Sequence, residues 1–135
     1  MPSRLNPYIQ FDGSAREAME FYRTVFGGEL TVSTFGEFGM EGADAEGVMH
    51  AQLETPSGYT LMAADTPPGM EVQRGSAVTI SLSGDEPGLR RYFEQLADGG
   101  QVTMPLEKQV WGDEFGECTD RFGVAWMVNI GQPQG

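Results

Sequence analysis

A chain of 135 residues, 39% hydrophobic and 21% charged, is long enough to bury a core and has the make-up of a globular protein. Its net charge of −12, from 20 acidic against 8 basic residues, leaves too few cations to neutralise a run of phosphates and argues against a nucleic-acid partner. No apolar run approaches the ~20 residues of a membrane span. The first residues lack the apolar stretch of a secretory signal, and the lone Cys118 permits no internal disulfide, which together fit a cytoplasmic setting.

In chain order, residues 7–11 read as a short strand with Pro7 at its beginning, where a missing N–H is tolerated. Ser14 and Glu17 have the spacing of a capping box, and Ala15, Ala18, Met19, Tyr22, Val25 and Phe26 then recur on one helical face. Gly27-Gly28 is the expected stop. Residues 29–35 alternate as a strand, and 36–47, rich in glycine and acids, read as a mobile loop. Residues 48–54 and 59–64 form an expected hairpin around Thr55-Pro56-Ser57-Gly58, and 65–75, with Pro67-Pro68-Gly69, the connector that follows.

The second half repeats this order. A strand is expected over 76–83, a helix over 86–97 with Leu89, Tyr92, Phe93 and Leu96 inward, and a stop at Gly99-Gly100. Strands near 101–110, 115–120 and 124–130 follow. The aromatic pairs Phe21-Tyr22 and Tyr92-Phe93 lie 71 residues apart and the glycine pairs 72 apart; Gly58 to Met62 is echoed by Gly123 to Met127. Each half is therefore βαβββ, residues 1–66 and 76–135 of one domain. Three consecutive strands after each helix argue against a doubly wound parallel sheet and for an α+β fold. Two such halves are expected to face each other across a cavity.

A duplicated βαβββ unit of this size resembles the vicinal-oxygen-chelate superfamily, which includes glyoxalase I, extradiol dioxygenases and bleomycin-resistance proteins. The details are most similar to its PhnB-like branch. The resemblance is carried by Pro7-Tyr8-Ile9-Gln10-Phe11, Ala18-Met19-Glu20-Phe21-Tyr22, Val25-Phe26-Gly27-Gly28, Val48-Met49-His50-Ala51, Trp111-Gly112-Asp113 with Phe115-Gly116, and Asp120 with Phe122-Gly123-Val124 and Trp126. It implies sheets curled into a U and a homodimer. It also implies that metal-using members place one ligand on the first and one on the last strand of each unit. Spacing puts those positions at Pro7, Met62, Thr79 and Met127. Proline offers no donor, methionine sulfur is a poor ligand for Zn, Ni, Mn or Fe(II), and threonine is a neutral hydroxyl. With a single histidine, His50, no two-histidine triad can form within a chain. No metal and no cofactor are expected.

Period-2 alternation from those positions points Ile9, Phe11, Thr60, Met62, Ala64, Ala77, Thr79, Ser81, Ala125, Met127 and Asn129 into the U, and Val78, Ile80, Leu82, Trp126 and Val128 toward the helices. His50 and Gln52 fall on the polar side of their strand. His50 is the candidate for acid–base work, since it alone titrates near neutral pH; the competing reading is a structural histidine satisfied by Glu54. Trp111 is a candidate for stacking on a planar ligand. Asp113, Glu114 and Glu117 are candidates for meeting a cation. The expected ligand-binding set is Ile9, Phe11, His50, Gln52, Met62, Thr79, Ser81, Trp111, Met127 and Asn129.

The expectation is a metal-free protein that binds a small molecule, cationic or aromatic. The alternative is a lyase, isomerase or dioxygenase of the glyoxalase type, using a metal or His50. Quinone methylation, a label attached to the PhnB-like branch, lacks a strand, glycine-rich turn and helix for S-adenosylmethionine. Phosphonate chemistry lacks a phosphate-cradling loop.

Overall fold

The structure is a computed structural model describing residues 3, 5–39, 42–67, 72, 75, 77–84 and 88–131. The helical periodicity noted above produces α1 (Ala15–Phe26), whose buried face is the six residues expected. Around it run β1 (Tyr8–Phe11), β2 (Glu29–Thr34), β3 (Val48–Glu54) and β4 (Thr60–Asp65). The second set is β5 (Ile80–Gly84), α2 (Gly88–Ala97), β6 (Gln101–Lys108), β7 (Glu114–Thr119) and β8 (Ala125–Ile130). The chain divides into two compact units, Met1–Gln73 and Arg74–Gly135. Each is one βαβββ repeat with a mixed four-stranded sheet, ordered β1-β4-β3-β2 and β5-β8-β7-β6. In each, the first and last strands pair in parallel and the remaining pairs are antiparallel.

One face of each sheet packs on its own helix, and there the core forms. In unit 1, Ile9, Phe11, Ala51, Leu53, Leu61 and Ala63 are buried with the inner face of α1. In unit 2, Leu82, Cys118, Trp126 and Val128 are buried with Leu89, Phe93 and Leu96 of α2. Ile9 and Phe11, which the spacing argument points into the U, are therefore core residues instead. Tyr8 and Gln10 occupy the other face of β1 and are exposed. The apolar pair follows the hydrophobic effect to the helix, and a one-residue change of phase swaps the whole strand.

Three local expectations also change. Ser14 makes no side-chain cap; the Ala15 amide instead donates to Asp65 Oδ1 at 2.9 Å, across 50 residues of sequence. The segment 36–47 contains two short 3-10 turns, Gly36–Phe38 and Ala43–Glu46, and its base is tied by the Phe35 amide donating to the Gly47 carbonyl at 2.9 Å. Strand β5 begins at Ile80, so Ala77, Val78 and Thr79 precede the ladder and are exposed. Ser76, Glu86, Pro68 and Gly69 lie outside the described residues.

The repeated glycine stops have a packing role. At Gly28 (φ 109°) a Cβ would sit 2.1 Å from the Glu54 carbonyl oxygen, and at Gly100 a Cβ would sit 2.1 Å from that of Thr119. Gly58 also has positive φ, 87°, but faces open space. Gly28→Ala is therefore expected to cost about 3–4 kcal/mol, from backbone clash added to strain, against about 1 kcal/mol for Gly58→Ala. Urea unfolding of the two variants checks the difference. Equal costs would contradict the close approach.

Candidate functional site

The face of each sheet turned away from its helix carries the side chains with chemistry. In unit 1 the register brings Thr31, Gln52, Met62 and Tyr8 into one row across four strands. Ser33 and His50 are opposite each other in the next row, with Gln10 beside Ala64. The His50 ring lies 6.0 Å from that of Tyr8, tilted by 39°. Glu54 does not take up His50: its Oε1 accepts from Gln52 Nε2 at 3.1 Å. The His50 imidazole has no hydrogen-bond partner among the described residues.

Unit 2 uses the same grid with different chemistry. Met104, Glu117, Met127 and Ser81 form one row, and Glu107, Phe115, Asn129 and Ser83 the next. Residues directly opposite on paired strands share a face, so Glu117 stands between two methionines. Trp111, in the turn between β6 and β7, meets Phe115 edge-on with ring centroids 6.2 Å apart, and is 60% exposed. The turn holds its shape through the Gln109 amide donating to the Asp113 carbonyl and the Gly112 amide to the Gln109 carbonyl. Asn129 Nδ2 donates to Asp113 Oδ2 at 3.0 Å, and Glu114 pairs with Arg90, so two of the three acids singled out in the sequence are engaged. The Glu117 carboxylate has no ion-pair or hydrogen-bond partner among the described residues.

The first-to-last strand register corrects the positions expected from spacing: Met62 is the partner of Tyr8, not Pro7, and Met127 that of Ser81, not Thr79. A phenol, a hydroxyl and two thioethers do not match the imidazole, carboxylate and thiolate donors of catalytic Zn, Ni, Mn or Fe(II) centres. Among the described residues no three His, Cys, Asp or Glu side chains gather to hold an ion.

Of the expected ligand set, His50, Gln52, Met62, Ser81, Met127 and Asn129 lie on the open faces, Trp111 rims one, Thr79 precedes β5, and Ile9 and Phe11 are core. Sequence reasoning missed Tyr8, Phe115 and Met104. Alternation counted from the buried residues of β1 and β7, rather than from Pro7, finds the first two; the bulges in β6 hide Met104.

Cys118 sits on the helix side, 1% exposed, and its thiol is pushed from 9.0 up to about 11, first by burial and then by the Asp120 carboxylate. A pKa raised by folding contributes stability that is complete below pH 9 and lost as pH climbs toward 11. Wild type is thus expected to lose about 2–3 kcal/mol over that window relative to Cys118→Ala. Urea midpoints against pH check this, and parallel curves would refute it.

No helix among the described residues is long and apolar enough to cross a membrane. In sequence, the chain is 29% identical over 96% of its length, and 97% of the relative's, to protein YjdN of Escherichia coli. In structure, it is similar to protein PA1353 of Pseudomonas aeruginosa, with TM-score 0.86, 39% identity and coverage of 98% and 100% of the two chains. It is also similar to a PhnB protein of Bacillus cereus described as a candidate 3-demethylubiquinone-9 3-methyltransferase, with TM-score 0.73, 25% identity and coverage of 95% and 99%. The profile of the glyoxalase/bleomycin resistance protein/dioxygenase superfamily matches residues 4–128, and the chain belongs to that superfamily.

Proposed function

We propose that this protein binds a small organic molecule, cationic or aromatic, on the open faces of its sheets and does so without a catalytic metal. The observation that carries this reading is the register itself. Tyr8, Met62, Ser81 and Met127 stand where the superfamily's metal ligands are expected, and around them lie polar and charged side chains such as Gln52, His50, Glu117 and Asn129 with a few apolar ones, Ala64, Met104 and Phe115. The thioethers and aromatic rings offer apolar contact, and the amide, imidazole and carboxylate groups beside them offer the polar contacts that orient a small molecule. A cytoplasmic homodimer belongs to the same proposal.

A thermal-shift panel of aromatic and cationic compounds, run in the presence of a chelator, tests it. A ligand at 100 times its Kd is expected to add about 2.7 kcal/mol of stability. No shift with any compound, or a shift and turnover that appear only with added Zn, Ni, Mn or Fe(II), would contradict it.

One observation favours a second reading. His50 lies against Tyr8, and no described residue holds its imidazole nitrogens, so one is available to exchange a proton with a ligand. Loss of a discovered activity in His50→Ala, with retained ligand affinity, would establish it.

A further inference from the structure

Resting on that binding reading, we infer that the open face of unit 2 is selective for an organic monocation with a flat aromatic portion, its charge seated at Glu117. Glu117 is half-buried, stands between Met104 and Met127 in strand register, and is two residues along β7 from Phe115, which carries Trp111 at its edge. Each element suits such a ligand. The carboxylate supplies the counter-charge, the thioethers pack on apolar surface and aromatic rings, and the ring faces attract cations.

Among the described residues, no cation of unit 2 pairs with this carboxylate. Lys108 lies opposite Glu114, in the phase of the buried Ile130 and so on the helix side, where Arg90 pairs with Glu114. Arg121 is held at the Asp98 carbonyl and carboxylate. The opposite row adds a second acid, Glu107, facing Phe115. An anionic ligand would meet uncompensated negative charge here. Unit 1 shows the contrast, because the position matching Glu117 beside the last-strand methionine is Gln52, and the one matching Phe115 is His50.

The test compares N-methylquinolinium with neutral quinoline by titration calorimetry on the full chain, with methionine-methyl NMR to locate binding. The cation is expected to shift the Met104 and Met127 methyls and leave Met62 unmoved. It should bind about tenfold tighter than quinoline and lose that advantage in Glu117→Gln, whose quinoline affinity stays unchanged. Circular dichroism verifies that the variant is folded. Undiminished cation affinity in Glu117→Gln, or shifts confined to Met62, would overturn the selectivity while leaving small-molecule binding intact. Binding of neither compound would overturn this inference alone; failure of the whole panel is what removes the broader reading.

Discussion

Asp120→Ala is expected to destabilise unit 2 by about 4 kcal/mol, the largest single-residue loss foreseen outside the glycines. The Asp120 side chain is 3% exposed and collects three donors: the Phe122 amide at 2.8 Å and the Val124 amide at 3.1 Å on Oδ1, and Trp126 Nε1 at 2.9 Å on Oδ2. Truncation strands all three, and each buried donor without a partner costs ~1–3 kcal/mol. Asp120→Asn keeps one carbonyl oxygen for the two amides but turns an N–H₂ group toward the indole, so about 2 kcal/mol is expected. Urea unfolding followed by the fluorescence of buried Trp126 measures both. A loss under about 1 kcal/mol in Asp120→Ala would mean that these bonds do not hold the turn. The same substitution removes one of the two causes that raise the Cys118 thiol, so its titration should move downward while burial still holds it above 9.0.

Asp65→Ala is expected to cost unit 1 about 3 kcal/mol, because two buried amides lose their acceptor. Oδ1 takes the Ala15 amide at the start of α1, and Oδ2 takes the Val48 amide at the start of β3, each at 2.9 Å. One carboxylate at the end of β4 thus fastens the first turn of the helix and the entry to a central strand. A negative charge at the helix start also complements its dipole. The informative control is Ser14→Ala. A working capping box predicts a loss of about 1 kcal/mol there; the observed geometry predicts a change within about 0.5 kcal/mol. Denaturation midpoints of the two variants separate the accounts, and a costly Ser14→Ala with a mild Asp65→Ala would reverse ours.

These two aspartates show where the sequence was legible and where it was not. Local periodicity was enough for α1, α2 and the hairpins, since burial of one face dictates the spacing of apolar residues. The hairpin turns were legible too: Thr55 and Asp120 occupy matching positions, each accepting from the amide four residues on. Asp65 was not, because its partners lie 17 and 50 residues away and only the folded sheet brings them together. Ser14 had the right spacing for a cap and lost to that distant carboxylate.

On the open faces, the composition of β3, β4 and β8 was readable, but β1 was read one residue out of phase. Spacing from the resemblance puts a ligand position at Pro7, whereas the apolar Ile9 and Phe11 mark that phase of the strand as the buried side. The isolated state of Glu117 was hidden for another reason. Three acids lie close together in sequence, and only the register separates the two with partners from the one between Met104 and Met127.

The most direct test is a calorimetric titration of the tightest panel compound into chelator-treated protein, repeated after adding one equivalent of Zn or Mn(II). Saturable binding with the same Kd in both is the result predicted. Affinity that vanishes under chelation and returns with the ion would show that these sheets grip a metal after all.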